Sequence, residues 1–182
     1  KYCFVNLSTS LSLNKLFNDF RSQGLQLSKN TLYDYVSFLE DAYAIFTVPV
    51  YATSLKETFR NPKKLYGIDH GFKRVFDMPL STDIGRIYEN IVFLELRRAG
   101  KDIYYVKGKQ EVDFYCPGEV PSLINVCYDI DNPATRSREV KGLTEAMQTY
   151  EIDESTLITA DREETIQTQQ GRIHVIPLWK WL

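Results

Sequence analysis

The amino-acid sequence predicts an α/β (α+β) protein built on a mixed sheet flanked by helices, and three observations carry that reading. Apolar residues recur at helical spacing in several stretches. Between and after them fall short β-branched and aromatic runs bounded by Gly and Pro. In the second half helix and strand patterns alternate, which favours helices on both sides of one sheet. With 182 residues, 43% of them hydrophobic, the chain can bury a sizeable core as one large domain or two small ones.

Leu13, Leu16, Phe17 and Phe20 give the i, i+3, i+4, i+7 spacing of an amphipathic helix over 12–23, and Gly24 follows as its stop. Ser28 stands as an N-cap before Leu32, Tyr35, Val36 and Leu39, so a second helix runs to about Tyr43. The run from Ile45 to Tyr51 reads as a strand that Pro49 confines to an edge or bulge. A basic loop from Lys56 to Lys64 leads into a second strand over 65–69. Helix, helix, strand, basic loop, strand is winged-helix order.

The connector from Phe72 to Ser81, containing Pro79, sets a boundary near Gly71 and divides the chain into regions 1–71 and 72–182. Thr82 or Asp83 caps a long helix to Ala99, closed by Gly100. Its apolar residues occupy more than one face, the mark of a largely buried helix. A hairpin about Gly108 joins strands at 103–106 and 112–115, and Leu123 to Ile130 forms a third strand. Val140, Leu143, Met147 and Tyr150 mark an amphipathic helix over 138–150, followed by strands at 156–160 and 173–176.

The chain opens at Lys1 in mid-pattern, as a segment of a longer polypeptide would. It lacks a signal-peptide pattern and any apolar run near the roughly 18 residues of a membrane span, so a cytoplasmic location without membrane contact is expected. Three cysteines, Cys3, Cys116 and Cys127, without Cys-x-x-Cys spacing indicate neither a disulfide framework nor a zinc knuckle. His70 and His174 have no third ligand at metal spacing, and no nucleophile-elbow motif is present. Residues 1–75 carry ten Lys/Arg against six Asp/Glu, whereas residues 76–182 carry twelve against eighteen, so any nucleic-acid contact is expected in the first part.

Short motifs in fixed order resemble the C-terminal region of prokaryotic AAA-type ATPases, a domain of unknown function. They are Leu65-Tyr66-x-x-Asp69-x-Gly71, Gly85-x-x-x-Glu89-Asn90-x-Val92-Phe93-x-Glu95-Leu96, Tyr104-Tyr105 followed by Glu111-Val112-Asp113-Phe114, Asn125-Val126-Cys127-Tyr128, Thr135-Arg136 with Arg138-Glu139, Thr159 with Asp161, and Ile176-Pro177-Leu178-Trp179-x-Trp181-Leu182. The resemblance implies a winged helix over 1–71 and, over 72–182, a PD-(D/E)xK restriction-endonuclease-like domain. It also implies an ATPase core upstream in the same chain. No G-x-x-x-x-G-K-[ST] loop occurs here, so ATP and Mg²⁺ belong to the implied parent protein and no cofactor is expected in this segment.

That likeness defines the candidate catalytic positions. In such a nuclease two or three carboxylates hold a divalent cation that activates water, and a lysine steadies the attack. Asp113 matches the first strand carboxylate and Glu89 the helix glutamate, while Asn125 stands where a second carboxylate belongs and Cys127 where the lysine belongs. Glu111 is the candidate replacement, on the same strand face as Asp113 at about 7 Å. The site is therefore expected to be degenerate, with no confident metal ligand set and with Glu89 and Asp113 bonded to backbone or to neighbours such as Asn90 or Arg97. Glu95 is expected either to pair with Arg136 or Arg138 or to stand exposed on a fraying helix end, and Glu139 and Glu145 to solvate their helix.

Lys56, Arg60, Lys63 and Lys64, with Lys73 and Arg74 nearby, form the candidate nucleic-acid-binding set on the wing. The helix that would enter the major groove offers Lys29, Asn30, Thr31, Asp34 and Ser37, and Asp34 faces phosphates badly. The expected role is non-catalytic recognition or regulation for the ATPase, with DNA or a protein as partner. The alternatives are a metal-dependent endonuclease with a rearranged site and a protein-docking domain of a toxin or defence system.

Overall fold

The computed structural model describes residues 1–75 and 84–182. The N-terminal part contains α1 (Tyr2–Val5), β1 (Thr9–Leu11), α2 (Leu13–Ser22), α3 (Lys29–Asp41), β2 (Ile45–Val48), α4 (Leu55–Arg60), β3 (Lys63–Gly67) and α5 (Phe72–Val75). Its strands form an antiparallel sheet in the order β1-β3-β2, which leaves β2, with Pro49 just beyond it, at an edge. The two sequence-predicted helices are present, and the second starts at its predicted cap Ser28. The Ser12 hydroxyl accepts from the Lys15 N–H, and the Ser28 hydroxyl accepts from the Thr31 N–H.

The basic stretch differs from the expected loop. Ser54 caps α4 by accepting from the Glu57 N–H, and β3 begins at Lys63 rather than Leu65. Those two extra residues bring Lys64 into the sheet, a change with consequences for the site. The proposed caps Thr82 and Asp83, and Pro79 of the connector, lie outside the described residues, as do the side chains of Lys73 and Arg74.

The second part contains α6 (Ile84–Arg98), β4 (Tyr104–Lys107), β5 (Glu111–Cys116), β6 (Ser122–Val126), α7 (Pro133–Tyr150), β7 (Glu154–Thr159), β8 (Glu164–Gln167), β9 (Arg172–Pro177) and α8 (Leu178–Trp181). Six strands form one mixed sheet in the order β4-β5-β6-β7-β9-β8. Antiparallel pairing from β4 to β6 gives way to parallel pairing of β6 with β7 and of β7 with β9. A parallel pair needs a crossover, and α7 supplies it between β6 and β7. This helix begins at Pro133, five residues before the expected Arg138, because Asn132 accepts from the N–H groups of Ala134 and Thr135 and Pro133 takes the first helical position. The strand expected to reach Ile130 ends at Val126.

One core cluster draws on both parts. Phe46, Val48, Val50 and Tyr66 pack with Val92, Phe93 and Leu96 of α6 and with Phe114, Ile124 and Ile158 of the six-stranded sheet. A second cluster lies between that sheet and α7, around Leu143, Met147, Leu157 and Val175. The sheets are joined directly where Val50 bridges Tyr105.

Gly171, in the turn before β9, has φ +136°, and a Cβ there would lie 2.0 Å from the Asp153 carbonyl oxygen. Gly171→Ala should therefore cost roughly 3 kcal/mol in urea unfolding, from strain plus a backbone clash. Gly24→Ala, at φ +81° with nothing within 4 Å, should cost about 1 kcal/mol.

Candidate functional site

Period-two alternation puts Lys64 and Tyr66 on one face of β3 and Leu65 on the other, where it joins the N-terminal core. Lys64 is 3% exposed. Its ammonium donates to Asp113 Oδ1 at 2.8 Å and lies 2.9 Å from both Glu89 Oε1 and Glu111 Oε1. The Tyr66 hydroxyl donates to the same Glu89 oxygen at 2.7 Å. Behind it the Tyr66 ring stacks on Phe93 with centroids 4.4 Å apart.

Residue Asn90, next to Glu89 on α6, clamps the end of β3. Its side-chain oxygen accepts from the Gly67 N–H at 2.8 Å, and its amide donates to the Gly67 carbonyl at 3.0 Å. A side chain at Gly67 would press on Leu7 at 3.0 Å. The Gly-Asn contact thus needs both residue types.

On the sheet, Asp113 Oδ2 accepts from the Val126 N–H at 2.8 Å, and Asn125 Oδ1 accepts from the Asp113 N–H at 2.9 Å. The Asn125 amide donates to Glu139 on α7, and the Arg138 guanidinium donates to the other Glu139 oxygen. Glu139 is therefore buried and bonded rather than solvating its helix. Glu95 pairs with Arg98 and Arg136 with Glu164, so neither expected arginine reaches Glu95. Arg97 lies over the Phe46 ring, 4.2 Å from its centroid, and takes no part in the cluster.

The sequence-predicted positions Glu89, Glu111, Asp113 and Asn125 do come together, beside a cleft of about 310 Å³ lined in part by Glu111, Asp113, Asn125 and Glu139. Lys64 joins them from an element read as a surface wing. That corrects its assignment as a phosphate-binding cation: a buried ammonium held by three carboxylates is not available to DNA. Lys56, Arg60 and Lys63 remain exposed. A start of β3 two residues earlier than the sequence suggests hid the signal, because neighbours on a strand face opposite sides.

Burial pushes the Glu89 carboxyl up to about 7; the nearby Asp113 charge adds to the rise, and Lys64 and Tyr66 oppose it. Burial works against the Lys64 ammonium, but Asp113, Tyr66, Glu89 and Glu111 outweigh it and hold its pKa well above the usual lysine range. The Cys127 thiol is pushed up to about 11 by burial and then by Glu139, so it stays protonated at neutral pH and is a poor metal ligand or nucleophile. Among the described residues no three His, Cys, Asp or Glu side chains are arranged to hold a metal ion. The donor set does not fit a divalent cation as it stands: the ammonium sits where three carboxylates converge, Asn125 is neutral, and Cys127 keeps its proton.

Two relatives match nearly the whole chain. The uncharacterized protein MJ1544 of Methanocaldococcus jannaschii is 34% identical over 189 residues, covering 97% of this chain and 42% of the relative. An uncharacterized protein of Haemophilus influenzae is 26% identical over 179 residues, covering 97% of this chain and 43% of the relative. The chain thus spans under half the length of the curated relatives it matches. No family model and no solved structure matches it. No helix among the described residues is long and apolar enough to cross a membrane.

Lys64→Met leaves three converging carboxylates without their cation. It should destabilise the protein by roughly 3–5 kcal/mol, read by urea unfolding at neutral pH. Glu89 makes stability fall with rising pH. Folded Glu89 keeps a proton that the unfolded chain releases near its ordinary value of 4.5, so its contribution is complete below that pH and is lost as pH climbs through about 7. Melting curves from pH 4 to 8 should show this loss in the wild type, and Glu89→Gln should remove it.

Proposed function

We propose that this chain is a non-catalytic recognition and regulatory module of a prokaryotic AAA-type ATPase, a winged helix joined to a degenerate restriction-endonuclease-like domain. The observation that carries the reading is the Lys64 ammonium within 2.9 Å of Glu89, Glu111 and Asp113. Carboxylates that would serve a metal in a nuclease here neutralise a lysine from the neighbouring sheet. The cluster works as a latch between the two parts of the chain.

The ordered motifs support the ATPase affiliation, and so does the match to under half of each longer relative. The segment has no phosphate loop of its own. ATP binding and hydrolysis therefore belong to the upstream core, and this module reports an encounter with a partner to it. For a DNA partner the contact surface is α4 and the start of β3, with Lys56, Arg60 and Lys63 exposed together. Docking of a protein in a toxin or defence system is the second form of the same reading.

Incubation with supercoiled, linear and branched DNA and Mg²⁺, then Mn²⁺, should give no cleavage, and calorimetry should detect no ATP binding. Cleavage abolished by Asp113→Ala would instead identify a metal-dependent endonuclease with a rearranged site. If DNA binds, Lys56→Glu, Arg60→Glu and Lys63→Glu together should weaken it evenly across sequences. The salt dependence should flatten by about 0.9 for each phosphate that the variant no longer neutralises.

A further inference from the structure

Helix α3 buries Leu32 and Val36, the latter in the N-terminal core, yet its other faces are unusually aromatic. Tyr33 and Tyr35 are each 52% exposed, and Phe38 is 64% exposed. Tyr35 and Phe38, three residues apart, and Ala42, four further on, form one exposed strip along the helix. The residues that border this strip are acidic: Asp34 and Asp41 are both exposed.

The end of the helix is also charged against its own dipole. The C-terminus of an α-helix carries a partial negative charge that favours Lys, Arg or His. The last turn of α3 has no basic residue and ends Glu40-Asp41. Glu40 is partly satisfied by the Thr47 hydroxyl at 2.6 Å, whereas no hydrogen bond or ion pair to Asp41 is present among the described residues. Acidic charge at a negative helix end, beside exposed aromatic rings, is left without compensation at Asp41, whereas Asp34 and Glu40 share a cleft with Arg60 and Lys63. Both features are relieved by one kind of neighbour, an apolar surface with cations at its rim.

We propose that the α3 strip, Tyr35, Phe38 and Ala42 bordered by Asp34 and Asp41, is a docking surface for a protein segment whose apolar side chains are flanked by lysine or arginine. The inference rests on the recognition role above and names its partner class. Phosphate is the wrong ligand for this helix, because Asp34, Glu40 and Asp41 face Lys29 as the sole cation within α3. A protein partner meets both needs: aromatic anchors fill its apolar positions, and rim cations face the acidic border.

The test uses the 182-residue chain and a labelled synthetic amphipathic helical peptide of leucine and lysine, read by fluorescence anisotropy. Its leucine and glutamate counterpart and a short DNA duplex serve as the other probes. Saturable binding of the lysine peptide is expected. Tyr35→Ser with Phe38→Ser should weaken it by about tenfold or more, and Asp34→Asn with Asp41→Asn should do so separately. Lys141→Ala, exposed on α7, should leave it unchanged. The affected side chains are exposed, so circular dichroism and melting should stay at wild-type values, and the charge pair keeps the test open if the aromatic pair misfolds. Equal binding of the glutamate peptide, indifference to both variants, or displacement of the peptide from α3 by the duplex would overturn the proposal. If the peptide fails while the duplex binds through Lys56, Arg60 and Lys63, the α3 surface falls and recognition stands; if neither probe binds, both fall.

Discussion

A single ammonium group ties this molecule together. Lys64 reaches from the three-stranded sheet into carboxylates supplied by α6 and β5, and the elements around it take the positions that this contact requires. Tyr66 shares its strand face and its partner Glu89, and Asn90 holds the next backbone unit of β3 by both its groups. A buried ion cluster contributes little net stability against an apolar replacement of the same shape, because desolvation offsets most of the attraction. It does penalise every wrong register. A slip of β3 by one residue would turn Lys64 away from its partners and leave three carboxylates facing one another.

Much of the fold was legible because periodicity and caps agree. The helices α2 and α3, the hairpin of β4 with β5, and the strands β7 and β9 stand where spacing and turn residues put them, and β6 starts there but stops four residues short of Ile130. Short pieces escaped: β1 has three residues and β8 is mostly exposed, so neither carries an alternation strong enough to read. The start of α7 is written in Asn132-Pro133, but the apolar stripe that marks the helix begins later and draws the boundary with it.

The candidate site was half legible. Glu89, Glu111 and Asp113 converge on Lys64, and the Asn125 side chain accepts from the Asp113 N–H beside them. The likeness to a nuclease core points to Cys127, just past the end of β6, for the lysine, whereas the three carboxylates take theirs from a residue 49 positions before Asp113. Nothing in local sequence separates Lys63, which faces water, from Lys64, which is buried. Only the register of β3 distinguishes them, and register is set by pairing with β1 and β2. Glu139 was missed for a related reason: its helix looks polar on that side, and only the packing of α7 beside β6 brings it to Asn125.

The bridge between Val50 and Tyr105 also bears on how the sheet ends. A free edge strand offers unpaired amides and carbonyls to any passing chain. Here the Tyr51 N–H donates to the Tyr105 carbonyl at 2.8 Å, and the Tyr105 N–H donates to the Pro49 carbonyl at 3.1 Å, so the outer side of β4 is partly spoken for. Pro49 has no N–H of its own to offer outward. At the opposite end β8 is short and polar and begins with Glu164, held by Arg136. Both routes by which another chain could lengthen the sheet are obstructed. Both ends of the six-stranded sheet are thereby blunted against edge-to-edge pairing, β4 by an existing partner and β8 by its length and charge.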